Sequence, residues 1–328
     1  MSHRLSIVCT MIVFAFVSAA SGCSSASSPS VVSHSGAAGI QKAPQSAGSW
    51  TTKAPMPTAR TELAAGVVNG ILYAIGGSLF TDGDYLNTVE AYDSATNTWA
   101  TKTPMPTARN QLAAGVVNGV LYAVGGSNGG ILNTNEAYDP ATDTWATKAS
   151  MPTARFGFAI GVVNGILYAV GGHSSADLNT NEAYDPATDT WTTKAPMPTA
   201  RYGLAAGVIN GILYAVGGYS RHVGHKLNTV EAYDPATDTW TTRASMPTAR
   251  YWLSASVLGR NLYAVGGGHR RVINTVEAYD PVTDTWTTKA PMPTARSRFA
   301  TRVVGRNLYA VGGASECCIL NTVEAYTP

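Results

Sequence analysis

Charge is scarce in this chain: Asp, Glu, Lys and Arg make up only 13% of its 328 residues, and the formal net charge is +2. Most basic residues recur at a fixed interval instead of clustering in long runs, which gives no electrostatic footprint for a DNA- or RNA-binding surface. Long helix-forming stretches are also missing. Instead the 33 glycines, with frequent Thr, Val and Tyr, imply an all-β fold whose strands are joined by tight turns. No nucleophile-base set and no phosphate-cradling loop stands out, so a binder is expected before an enzyme, and no cofactor is expected. Long apolar runs are absent outside the first residues.

That exception is a unit of its own. Met1 to Arg4 form a short positive segment, Leu5 to Ala19 an apolar one, and Ala20, Ser21 and Gly22 lead to Cys23. The apolar segment is shorter than the roughly 20 residues of a membrane-spanning helix, so residues 1–22 are expected to be a signal peptide. The run A-S-G-C resembles the lipobox of bacterial lipoproteins, although Ala20 stands where leucine is usual. The resemblance implies lipidation of Cys23 and an extracytoplasmic protein anchored to a bacterial membrane, the outer one in a diderm host given Ser24. The alternative is a soluble secreted protein. Residues 23–49, rich in Ser, Ala and Gly, are too poor in apolar surface to fold and are expected to be a flexible tether.

From Trp50 to Pro328 the chain repeats. Trp50, Trp99, Trp145, Trp191, Trp240 and Trp286 lie 46 or 49 residues apart, a period that signals a repeat architecture. Each unit runs P-T-A-R, a small-residue and valine stretch, L-Y-A-(V/I)-G-G, N-T-(V/N)-E-A-Y and a tryptophan. Asn-Gly at Asn69, Asn118, Asn164 and Asn210 separates two apolar runs and predicts a two-residue hairpin. Four antiparallel strands per unit follow. Such sheets have two apolar faces and become stable by packing face to face around an axis.

The Gly-Gly pairs from Gly76 to Gly312, the six tyrosines from Tyr92 to Tyr326 and the six tryptophans resemble the kelch motif over residues 50–328. The resemblance implies a six-bladed β-propeller of four-stranded antiparallel blades. The repeat opens on a fourth strand and stops after a third, so the N-terminal strand is expected to complete the last blade and set Trp50 against Tyr326. The propeller is expected to be monomeric. The arginine and the glutamate that occur once per unit, as in Arg60 and Glu90, are expected to pair inside the blades; in some kelch proteins arginines at this place instead reach the axial opening and grip acidic ligands.

Function is expected on the face where the copies differ, at the loops after Gly-Gly and the residues after P-T-A-R. The candidate ligand-binding residues there are Glu62, Gln111, Phe156, Tyr202, Arg221, His222, Tyr251, Trp252, Arg270, Arg271 and Arg298. Blades 4 and 5 make this face basic, with His225, Lys226 and His269 as well, while Glu62, Asp82 and Asp84 of blade 1 are acidic. Aromatic rings beside charged and amide groups suit a carbohydrate or a protein ligand; the same rings could simply plug the axis. No metal is expected, because His222, His225 and His269 share no ligand spacing. Three states are open to the adjacent Cys317 and Cys318: a vicinal disulfide, which is the expected one, free thiols, or a bridge between molecules.

Two alternatives stand beside a binding module that touches the membrane only through its lipid. The fold resembles bacterial sialic acid epimerases built as six-bladed kelch propellers, which implies acid-base chemistry on a sugar ring; Glu62 with Arg298 or Arg302 and the blade-4 and blade-5 histidines His222, His225 and His269 would carry it. The other alternative is a purely architectural repeat protein.

Overall fold

The Asn-Gly pairs act as hairpin turns. Asn69 and Gly70 both take positive φ, 50° and 80°, the geometry of a type I′ turn, and Val68 is thereby paired with Ile71 at the end of a five-residue register. Blades 5 and 6 replace Asn-Gly by Gly259-Arg260 and Gly305-Arg306, and there only the glycine has positive φ. The structure, a computed structural model, describes residues 48–79 and 83–328. The signal segment, Cys23, nearly all of the tether and Asp82 lie outside the described residues.

Six four-stranded antiparallel sheets form the blades of a β-propeller. In blade 1 the strands are Ala64–Val68, Ile71–Ile75, Val89–Asp93 and Thr98–Lys102, from the axis outward. A short extra hairpin, Tyr219–Ser220 with His225–Lys226, stands on the variable loop of blade 4. The last blade is completed by Ser49–Lys53 pairing with Val323–Thr327, with Trp50 opposite Tyr326 and their ring centroids 5.3 Å apart. The propeller therefore begins at Ser49 and takes one residue that the sequence reading gave to the tether.

Strand alternation builds the core between blades. Ala64 packs with blade 2, and Ala65 faces the other way, into blade 6. Each seam is clamped at its outer edge by polar groups. Trp191 Nε1 donates to the carbonyl of Ala149, 2.8 Å, while the Ala149 N–H donates to Asp189 Oδ1, 2.9 Å. Tyr184 donates to the same aspartate oxygen at 2.6 Å, and this bond holds the Asp189 carboxyl below its ordinary pKa. Trp50 repeats the clamp across the closure by donating to Ala290 O at 3.0 Å.

The repeated arginines are fully buried and each pairs with the repeated glutamate of its blade, as in Arg60–Glu90 at 2.5 Å and Arg109–Glu136 at 2.9 Å. Thr58 adds a hydroxyl donor to Glu90 at 2.7 Å. None of these arginines opens onto the axis, so the pairing expectation holds and the ligand-gripping alternative does not.

Candidate functional site: the axial mouth and the cleft between blades 5 and 6

On the variable face every blade brings one residue to the rim of the axis: Glu62, Gln111, Gly157, Gly203, Trp252 and Arg298. All six have φ between 51° and 60°, because the chain must turn there to run down the axis. Their backbones are joined in a closed ring, each N–H donating to the carbonyl of its equivalent in the preceding blade, with distances of 2.7 to 3.0 Å. Glycine takes this conformation freely, and blades 3 and 4 use it. Four blades carry a side chain instead, at a backbone cost of about 1 kcal/mol or more each. Strain of this kind, placed at an opening, points to a function for those four side chains.

Their arrangement is specific. Trp252 lies over Gly203 and Gly157; a Cβ on Gly157 would meet the indole Cη2 at 2.8 Å. The two glycines are therefore what makes room for the tryptophan. Arg298 stacks on its ring, 5.4 Å from the centroid, and pairs with Glu62 at 3.4 Å. Glu62, only 5% exposed, also accepts from Asn110 Nδ2 at 2.6 Å and Gln111 Nε2 at 3.1 Å. Its carboxylate is thus held in place by three donors. Beneath this rim lies a small hollow of about 100 Å³ with one polar and one indole wall, floored by Leu63, Leu112, Phe158, Leu204, Leu253 and Phe299, all buried.

Outward of the rim the face opens into a cleft of about 410 Å³ between blades 5 and 6. Tyr251 and Trp252 give it an aromatic wall, and His269, Arg270, Arg271 and Arg298 line it with basic groups. Glu316 closes one side by accepting from the backbone of Val272 at 3.2 Å. Hence Glu62, Gln111, Trp252 and Arg298 meet at the mouth, while Tyr251, Arg270 and Arg271 belong to the adjoining cleft.

Phe156, Tyr202 and Arg221 belong to a third group. Phe156, His173, Tyr202, Tyr219, Tyr251 and Trp252 form an unbroken arc of ring contacts across blades 3 to 5, with centroids 5.3 to 6.4 Å apart. Arg221 caps the arc, 5.5 Å over Tyr202 and 3.2 Å from His173 Nε2, and its backbone N–H donates to Asp177, which also pairs with His173 at 2.9 Å. Burial pushes the Tyr202 hydroxyl above its ordinary pKa, and Arg221 opposes that shift. His222 sits exposed at the tip of the blade-4 hairpin, apart from the residues lining mouth and cleft.

Asn110, His173, Asp177 and Tyr219 were not among the residues singled out from sequence. A signal was available: His173 and Tyr219 follow Gly-Gly directly, and that position bridges to the residue after P-T-A-R, as Phe156 does to His173 and Tyr202 to Tyr219. Among the described residues no three of His, Cys, Asp and Glu converge as metal ligands. Cys317 and Cys318 are exposed and do not form the expected vicinal disulfide; Cys318 Sγ instead donates to Cys317 Sγ at 3.0 Å, and hydrogen bonds from Cys318 and Ser315 hold the Cys317 thiol below its ordinary pKa.

No curated protein matches the chain in sequence. The solved structure of YjhT is similar in fold: 17% identity, a TM-score of 0.69, and coverage of 83% of this chain and 96% of that one. The model of the KLHDC2/KLHL20/DRC7 Kelch-repeats domain matches residues 43–172 and again 146–313. With that span, the Gly-Gly and aromatic positions in every blade and the closed ring of six blades, the chain belongs to the kelch-repeat family.

Proposed function

We propose that the protein is a membrane-tethered, extracytoplasmic binding module that takes an acidic carbohydrate in the mouth and the blade-5/6 cleft. The observation that carries this reading is the cleft itself, an aromatic wall of Tyr251 and Trp252 beside Arg270, Arg271 and Arg298. An indole and a phenol offer flat apolar surface to a sugar ring, while guanidinium forks suit a carboxylate or sulfate on it. Lipidation of Cys23 would hold the module at the membrane, with residues 24–48 as a tether.

The test is a glycan array probed with the protein lacking residues 1–22, beside an Arg298→Ala variant and a Trp252→Ala variant. Specific signal on uronate, sialate or sulfated glycans that both variants lose supports the reading. A blank array overturns it and turns attention to protein ligands.

Glu62 favours a second reading. Its buried carboxylate stands 3.4 Å from Arg298 at the rim of the hollow, a site where the carboxylate could take the proton of the anomeric hydroxyl of a bound acidic sugar while the ring oxygen gains one as its bond to the anomeric carbon breaks, the reverse transfers reclosing the ring. Saturation-transfer NMR on the two anomers of an array hit distinguishes the readings. Accelerated exchange lost in Glu62→Gln establishes a mutarotase, and exchange at the uncatalysed rate leaves a binder.

A further inference from the structure

Halfway down the axis the six inner strands place equivalent residues at one level: Gly66, Gly115, Gly161, Gly207, Ser256 and Arg302. Register fixes the equivalence, since each stands opposite the tyrosine of its second strand, from Gly66 with Tyr73 to Arg302 with Tyr309. In blades 1 to 4 a side chain there would have to push aside a leucine tip of the next blade. A Cβ on Gly66 would come within 2.3 Å of Leu121, and one on Gly207 within 2.4 Å of Leu262. Blade 6 nevertheless carries the largest cation available.

Arg302 goes where the glycines leave room, into the lumen. One terminal nitrogen donates to the carbonyl of Thr301 at 2.7 Å, the other to the carbonyl of Ala114 at 3.2 Å. Ala114 lies on the inner strand of blade 2, two blades away around the ring. The guanidinium therefore stands across the axis and borders two chambers, one of about 120 Å³ toward the mouth and one of about 310 Å³ toward the hairpin turns. No aspartate or glutamate lines either chamber, and among the described residues no carboxylate pairs with Arg302.

The contrast with the six blade arginines is sharp. Burial lowers their pKa, but a glutamate opposes it, as Glu90 does for Arg60. Arg302 is lowered to about 10 by burial alone, and so stays charged at neutral pH. A guanidinium has five N–H donors, two of which are used by the carbonyls. Arg302 is half-buried at the wall of the lumen; a partly desolvated charge without a counter-charge is still costly, and an anion with access along the axis would supply the partner.

We propose that Arg302 and the glycine-lined lumen form an axial site for a small anion, either a monocarboxylate or an inorganic anion of similar size. The site is separate from the mouth and cleft, and does not depend on what they bind. Its role would be to complete the charge balance of the channel, so that occupancy stabilises the ring.

The test is the chlorine-35 NMR line width of sodium chloride in the presence of the full chain, against Arg302→Met, with acetate and phosphate as competitors. Broadening that exceeds that of the variant, and that a competitor removes, is the expected result; acetate or phosphate as the stronger competitor tells a carboxylate site from an inorganic one. Equal broadening in the two proteins overturns the proposal. Arg302→Met removes a half-buried charge that no carboxylate pairs among the described residues, so it should fold and melt no lower than the parent in anion-poor buffer. Should it not fold, crystals of the parent grown in bromide decide: an anomalous peak within hydrogen-bond reach of Arg302 is expected, and its absence refutes the site.

Discussion

Blades 1 to 4 and blades 5 and 6 are copies of one repeat, but they are not equal. The first four inner strands read AAGVV, AAGVV, AIGVV and AAGVI and leave through Asn-Gly; the last two read SASVL and ATRVV and leave through Gly-Arg. Blades 5 and 6 also supply Trp252 and Arg298 to the rim, both walls of the cleft, and the one cation among the described residues that line the lumen. The buried Arg–Glu pair and the seam tryptophan meanwhile persist in all six blades. Sites have therefore accumulated where the copies diverge, on a scaffold whose seams were left unchanged.

The comparison breaks most severely if a scaffold pair is cut in a conserved blade. Glu182→Gln strands Arg155 in the core of blade 3, and denaturant unfolding should show a loss of about 3–5 kcal/mol. Replacing both partners by apolar residues should recover most of it. Trp50→Ala opens the closure seam; the indole is only half-buried, so the cost falls below that of a core tryptophan, about 2 kcal/mol. Neither change should alter the affinity of the surviving folded protein for a ligand of the cleft.

Changes in the divergent blades should do the opposite. Trp252→Gly gives blade 5 the residue that blades 3 and 4 already use, relieving a strained φ of 52°. Thermal melting should move little, because relief of about 1 kcal/mol offsets lost ring contacts, while binding at the mouth is abolished.

The smallest effect is expected from the seam carboxylates. Asp143, Asp189, Asp238 and Asp284 are each held below their ordinary pKa by the tyrosine hydroxyl of their blade. Their contribution is present above the unfolded carboxyl pKa of about 3.9 and disappears as the pH falls through that value toward the folded one. Melting temperature followed downward from pH 6 should decline below about pH 4, and Asp189→Asn should make the decline shallower. An unchanged slope would remove these aspartates from the account.

Much of this was legible beforehand. Tryptophan spacing and the Asn-Gly and Gly-Gly positions determine blade number and strand order, because turn chemistry is local and is repeated six times. Ring closure followed from Trp50 and Tyr326 belonging to one interrupted unit. The rim residues Glu62, Gln111, Trp252 and Arg298 were visible because they differ between copies at one fixed position. What escaped depends on neighbours from different blades: His173 joins the aromatic arc only because Tyr202 stands beside it, and Asn110 grips Glu62 from the next blade. Arg302 is an acid-base candidate beside Glu62 on sequence, but it lies in the lumen and not at the hollow that Glu62 and Arg298 line; its depth follows from strand register, which a list of residues does not contain.

The central claim is that function resides in the divergent blades. The direct measurement is calorimetric affinity for a glycan-array hit with two matched double variants, Trp252→Ala/Arg298→Ala on blades 5 and 6 and Gln111→Ala/Phe156→Ala on blades 2 and 3. The account predicts a loss of at least about a hundredfold for the first pair, about 2.7 kcal/mol, and a loss of less than about tenfold for the second. Equal losses, or a larger loss from blades 2 and 3, would contradict it.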